Sequence, residues 1–122
     1  MARILIVDDS PTEIHVLKTM LDKHGFETFS AESGEDGVVK AGEEMPDLIL
    51  MDIVMPGMNG FQATRKISTT EETKNIPIII VTTKDQETDR VWGLRQGAKD
   101  FLTKPVTEKN LMDKINAALE VA

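Results

Sequence analysis

The sequence predicts an α/β protein, an open doubly wound parallel sheet with helices on both faces. Two observations predict it. Five short apolar runs alternate with amphipathic stretches along the 122 residues. Three of those runs are continuously apolar, as strands buried on both faces are. Strict β-α alternation makes the strands parallel, and right-handed crossovers make the sheet open and doubly wound.

The strand runs are Ile4–Val7, Phe26–Ser30, Leu48–Met51, Ile76–Val81 and Phe101–Leu102. Between them lie apolar faces at helical spacing: Ile14, Leu17 and Leu21; Phe61, Thr64 and Ile67; and Leu111, Ile115, Ala118 and Leu119. Ser10-Pro11-Thr12-Glu13 reads as a capping box with proline at the first helical position. Ser33-Gly34-Glu35-Asp36 is a weaker version, and Asn59 caps a helix that begins near Gly60. Gly25 after Lys23-His24 and Gly97 after Arg95-Gln96 are helix stops. Glu71 to Asn75 is a polar loop. The count is five βα units with no segment left over, hence a single domain over residues 1–122 with no effector domain.

Composition narrows the function. With 40% apolar residues and 8 glycines the chain has the make-up of a soluble globular protein. Fourteen basic against 21 acidic side chains give a net charge of −7, which repels a phosphate backbone and argues against nucleic acid as a partner. The absence of cysteine excludes disulfides, thiolate metal sites and cysteine nucleophiles. No apolar run approaches the ~20 residues that span a bilayer. The start Met1-Ala2-Arg3 leads straight into a strand without a signal-peptide pattern, so a cytoplasmic location is expected.

In doubly wound sheets ligands bind beyond the carboxyl ends of the strands. There the first strand runs into Asp8-Asp9, the third into Asp52, the fourth into Thr82-Thr83, and the fifth into Lys104-Pro105. Each alone has a plain reading as a turn, cap or surface residue. Their convergence on one edge favours a site. Three clustered carboxylates call for a cation. Mg²⁺ suits them, being a hard ion that binds one or two carboxylates and keeps positions for water and phosphate oxygens. An aspartate beside it can act as a nucleophile toward phosphorus, with Lys104 and the Thr82 hydroxyl offsetting charge on the phosphoryl oxygens. No Walker-type loop, no G-x-G-x-x-G and no G-x-S-x-G elbow is present. His15 and His24 read as surface helical residues.

These residues closely resemble CheY-like receiver domains of two-component response regulators. The resemblance is carried by Ile4-Leu5-Ile6-Val7-Asp8-Asp9-Ser10, by Met51 to Gly60, by Thr82, and by Gly97 to Pro105. Met1 to Glu13, Pro56 to Arg65 and Val81 to Lys104 are similar to the narrower set of type IV pilus, or twitching-motility, chemosensory regulators of the PilH type. The resemblance implies a (βα)5 flavodoxin-like fold with strand order 2-1-3-4-5. It implies that Asp52 accepts a phosphoryl group from a histidine kinase of the CheA-like kind. Mg²⁺, with Mn²⁺ as an alternative, would be held by Asp9 directly, Asp8 largely through water, Asp52, and the backbone carbonyl of Val54. Lys104 would pair with the phosphoryl group, Thr82 would be the switch hydroxyl, Phe101 the aromatic switch, and Lys104-Pro105 a cis peptide.

Thr83 departs from the family's usual small residue and is expected to narrow access to the phosphoryl group. Phe101 stands where tyrosine is frequent and has no hydroxyl to offer a partner. The implied protein is a stand-alone switch, monomeric or weakly dimeric. Its output face is built by the helix from about Gln86 to Gln96, the fifth strand and the last helix, with Trp92 on or next to it. The competing readings are a phosphate sink, a non-phosphorylated pseudo-receiver that only binds protein, an aspartate-nucleophile phosphatase and a flavin carrier. The phosphatase would need a second acid-base aspartate at the position of Val54. The flavin carrier would need a phosphate loop where Asp8-Asp9 stand.

Overall fold

The computed structural model describes residues 2–120. Met1, from which the expected start and domain span are counted, lies outside the described residues, as do Val121 and Ala122. The elements are β1 (Arg3–Val7), α1 (Pro11–Lys23), β2 (Glu27–Ala31), α2 (Gly34–Glu44), β3 (Leu48–Met51), α3 (Gly60–Thr69), β4 (Ile78–Thr82), α4 (Glu87–Arg95), β5 (Asp100–Thr103) and α5 (Glu108–Leu119). All strand pairs are parallel and the order is β2-β1-β3-β4-β5, as the family resemblance implied.

The continuous apolar runs have a direct cause. Successive strand residues point to opposite faces, and both faces are covered. Ile4, Ile6, Leu48, Leu50, Ile79 and Val81 pack with Ile14, Leu17 and Leu21 of α1 and with Leu111, Met112, Ile115 and Ala118 of α5. Leu5, Val7, Ile49, Met51 and Ile78 pack on the other face with Ala41 of α2 and with Ala63 and Ile67 of α3. A third cluster, Ile53, Ile80 and Ala98, is flanked by Phe61 and Phe101.

Both predicted glycine stops form a left-handed turn with the paired hydrogen bonds of a Schellman motif. Gly25 has φ +83 and Gly97 φ +113. The Phe26 and Gly25 N–H groups donate to Leu21 and Asp22, and those of Ala98 and Gly97 to Gly93 and Leu94.

Several local expectations need correction. The Ser10 capping box is only half formed: Ser10 Oγ accepts from Glu13 N–H at 3.3 Å, but the Ser10 N–H goes to Asp8 Oδ1 at 2.9 Å. The complete reciprocal box is at α3, where Asn59 and Gln62 exchange two bonds of 2.9 Å. β2 starts at Glu27 because Phe26 belongs to the turn after α1 and packs on the core there. β4 starts at Ile78 because Pro77 has no N–H for the ladder, although its carbonyl accepts from Ile49. The polar loop after α3 buries Thr73, whose hydroxyl donates to the Ile67 carbonyl at 2.7 Å. His24 is exposed, as expected, but it stands just past the end of α1 and its Nε2 lies 2.8 Å from Glu108 Oε2, joining the end of α1 to the start of α5. That bond, then Lys23, hold the Glu108 carboxyl below the usual range.

Candidate functional site

Sheet hydrogen bonding runs past the strand ends and builds the site. Asp8 N–H donates to the Ala31 carbonyl of β2, and Asp52 N–H to the Val7 carbonyl of β1. These bonds set Asp8 and Asp52 side by side at the carboxyl edge. Lys104 N–H donates to the Thr82 carbonyl at 2.7 Å, which carries the β4–β5 ladder one step further and brings the lysine to the same edge. The Lys104–Pro105 bond is cis, as expected.

Asp8, Asp9 and Asp52 each offer a carboxylate oxygen within 4.8 Å of the others. Their environments differ. Asp8 is 2% exposed, whereas Asp9 lies at the surface. The Asp52 side chain is 12% exposed and that of Lys104 only 9%. Lys104 Nζ stands 2.7 Å from Asp8 Oδ2 and 3.8 Å from Asp52 Oδ2. The demand for a cation is therefore met in part from within the chain. Lys104, expected to pair with a phosphoryl group, is held here by Asp8.

Asp52 Oδ1 accepts the Ile53 N–H at 2.8 Å, which fixes the carboxylate plane and leaves Oδ2 on the lysine side. Burial, and next the Asp8 charge, push the Asp52 carboxyl above the usual range, while Lys104 pulls it back. Asp8 is tied at both oxygens, to Ser10 N–H and to Lys104. Asp9 is thus the acidic side chain of the three with the greatest access to solvent.

The remaining predicted residues fall around this centre. Thr82 is fully buried at the end of β4, and its Oγ1 accepts the Lys84 N–H at 3.4 Å. Thr83 is exposed. Phe101 is half-buried against the cluster of Ile53, Ile80 and Ala98, so its ring already rests partly inside. Val54 is exposed, two residues past Asp52. Trp92 is 50% exposed on α4 and lines a shallow groove with Glu87, Thr88, Val91 and Arg95.

Two site-building residues escaped sequence reasoning. At Gly60 a Cβ would stand 1.9 Å from the Asp52 carbonyl oxygen, and the Gly60 N–H donates to Ile53 at 2.9 Å. Only glycine allows α3 to start so close to the Asp52 backbone. The signal was present: glycine is a poor helix former, yet it sits at the first position of α3. The second is Glu35, whose Oε2 accepts the Met58 N–H at 3.2 Å across 23 residues of sequence. No local pattern marks that contact.

A parallel sheet in this order, with an acidic cluster and a lysine at its carboxyl edge, defines a doubly wound α/β protein with a candidate cation site. The chain belongs to the response regulator receiver domains, matching that family over residues 4–116, and is the receiver domain of a two-component response regulator. Such domains are signalling switches that bind Mg²⁺ at the acidic pocket. Among its relatives, Protein PilH of Pseudomonas aeruginosa is 66% identical over 119 residues, with 98% of each chain covered. Among solved structures, Vibrio cholerae chemotaxis protein CheY4 superposes with a TM-score of 0.91 at 29% identity, over 98% of this chain and 99% of the other. The receiver domain of the sensor histidine kinase PA1611 from Pseudomonas aeruginosa, which has a magnesium ion coordinated in its active site cleft, gives a TM-score of 0.91 at 31% identity over 98% of both chains. Among the described residues, no helix is long and apolar enough to cross a membrane.

Proposed function

We propose that the chain is a cytoplasmic phosphorylation switch that takes a phosphoryl group from a CheA-like histidine kinase onto Asp52. The pathway we assign is a chemosensory system controlling type IV pilus twitching motility, on the strength of the similarity to PilH. The observation that carries the chemistry is the convergence of Asp52 with Asp8, Asp9 and a buried lysine at one strand edge.

Asp52 attacks the phosphorus of a phosphohistidine. An Asp52 Oδ–P bond forms, the donor's N–P bond breaks, and the imidazole leaves with the electron pair. The donor set is all oxygen and mostly anionic, which fits Mg²⁺: Asp9, Asp52 and the neutral Val54 carbonyl would hold it, with Asp8 acting largely through water. The ion supplies positive charge toward the phosphoryl oxygens. Lys104 is already within 3.8 Å of Asp52 and needs only to share its Asp8 contact to reach a phosphoryl oxygen. The Thr82 hydroxyl donates to the phosphoryl group, Phe101 completes its inward turn, and the face of α4, β5 and α5 changes toward a protein partner.

Incubation with acetyl phosphate and Mg²⁺ followed by mass spectrometry tests this. One phosphoryl group should add to the wild type and none to Asp52→Asn; labelling of the variant at the usual rate contradicts the assignment. The same variant carries a pH signature. Because the folded carboxyl titrates above its unfolded value, the folded state binds the proton more tightly, and stability falls as pH rises through the window between the two values. Asp52→Asn removes this penalty and should melt a few degrees higher than metal-free wild type at neutral pH, and no higher at a pH below both values.

The two neighbouring aspartates should separate. Asp8→Ala takes away the nearer of the two carboxylates beside Lys104, leaving Asp52 at 3.8 Å, and should cost about 1–3 kcal/mol of stability. Metal-free Asp9→Ala should melt no lower than wild type yet lose more Mg²⁺ affinity. A clear drop in its melting temperature means that Asp9 is structural.

A further inference from the structure

The segment from Ile53 to Asn59 links the phosphoacceptor to α3 and contains Val54. Its fixed points are few. Ile53 and Met55 are buried, and the Gly60 N–H closes back on Ile53. Val54, Pro56 and Gly57 are exposed. Among the described residues, two side chains from outside this segment and α3 hydrogen-bond to its backbone: Asp52 at its start, on the Ile53 N–H, and Glu35 further along, on the Met58 N–H. Gly57 has φ +73, and a Cβ there would stand 2.7 Å from Glu35 Oε2. A Cβ on the neighbouring Gly34 would stand 2.5 Å from the Met58 carbonyl oxygen. Two glycines that face each other's elements thus let the first turn of α2 lie directly on the loop, and Glu35 makes the polar contact.

We propose that Glu35 is a positioning residue for the cation site: by accepting the Met58 N–H it holds the Ile53–Asn59 segment in the form that offers the Val54 carbonyl as a ligand. The inference rests on the reading of Asp9, Asp52 and the Val54 carbonyl as Mg²⁺ ligands. A backbone ligand has no side-chain freedom with which to find the ion, so its placement depends on what fixes the loop. One side-chain acceptor on a loop N–H is strong enough to matter. Without it the loop populates other conformations, and ordering it again weakens the ion's binding.

Wild type, Glu35→Ala and Glu35→Gln are compared with MgCl₂ as the probe. In Glu35→Ala the Met58 amide should lose hydrogen-exchange protection in metal-free protein. Its Mg²⁺ dissociation constant by calorimetry should rise roughly 3- to 10-fold, the equivalent of one such hydrogen bond. Glu35→Gln retains a carbonyl acceptor and should stay within about twofold of wild type, the acceptor rather than the charge being what the loop needs. At saturating Mg²⁺ the labelling rate of Glu35→Ala should return to that of wild type. If Glu35→Ala binds Mg²⁺ like wild type, or Glu35→Gln fails as badly as Glu35→Ala, the positioning role is wrong. If wild type itself takes up no Mg²⁺, the cation-site reading fails and this inference falls with it.

Discussion

The two walls beside Asp52 are built differently. On one side α3 buries Gly60, Ala63, Thr64 and Ile67, begins with a reciprocal capping box, and is joined through its leading loop to α2. On the other side α4 buries only Gly93, has no side-chain bond at its N-cap Gln86, and leaves Val91, Trp92 and Leu94 in solvent. The same sheet thus carries a fixed wall and a loosely held one. Elements that move are drawn from the least stable parts of a fold, where few apolar contacts are buried. The fixed wall suits placement of a nucleophile and a cation, and the loose wall suits a response.

The largest expected effect is on the fixed side. Gly60→Ala drives a methyl group into the Asp52 backbone, which has no slack to give, and should cost about 3 kcal/mol or more. Denaturant unfolding checks the loss, and phosphoacceptance should fall with it. A variant that folds and labels normally would break the contrast by showing the fixed wall to be soft.

Gly93→Ala probes the loose side. There the new methyl would meet the end of the Ile80 side chain at 2.6 Å, with Phe101 and Phe61 at 3.5 and 3.6 Å. A side-chain tip can shift, so about 1–2 kcal/mol is expected, less than at Gly60. Displacement of α4 should show as a change in Trp92 fluorescence. A loss equal to that of Gly60→Ala would mean the two walls are equally rigid.

The smallest effect is a gain. Gln86→Asp supplies the missing N-cap side chain and should stabilise by about 0.5–1 kcal/mol, measured by thermal unfolding. Amide exchange should slow in the first turn of α4 and nowhere else. If α4 is the responsive element, the same change should narrow the Trp92 fluorescence difference between phosphorylated and unphosphorylated protein.

The contrast itself was only half legible in the sequence. The apolar spacing of Phe61, Thr64 and Ile67 announced a packed helix, and the structure buries Thr64 and Ile67 fully. Trp92 was expected on or next to the output face, but nothing in its neighbours Val91 and Gly93 told which way α4 faced. The structure turns Gly93 inward, against Ile80, and leaves Trp92 half exposed. Likewise Asn59 was readable as a cap because capping is local, but the constraint on Gly60 comes from a backbone eight residues earlier.

What the sequence determined by itself is whatever depends on neighbours in the chain. Element order followed from the alternation of apolar runs, the helix stops from Gly25 and Gly97, and the gathering of Asp8, Asp9, Asp52, Thr82 and Lys104 from strand ends that must share one edge. Tertiary structure alone decided how those groups pair. Lys104 meets Asp8 across 96 residues, His24 meets Glu108 across 84, and Glu35 meets Met58 across 23. Such contacts are set by how helices settle on the twisted sheet, to within about an ångström. A one-dimensional pattern specifies which face of an element is buried, but not the depth or rotation at which it comes to rest.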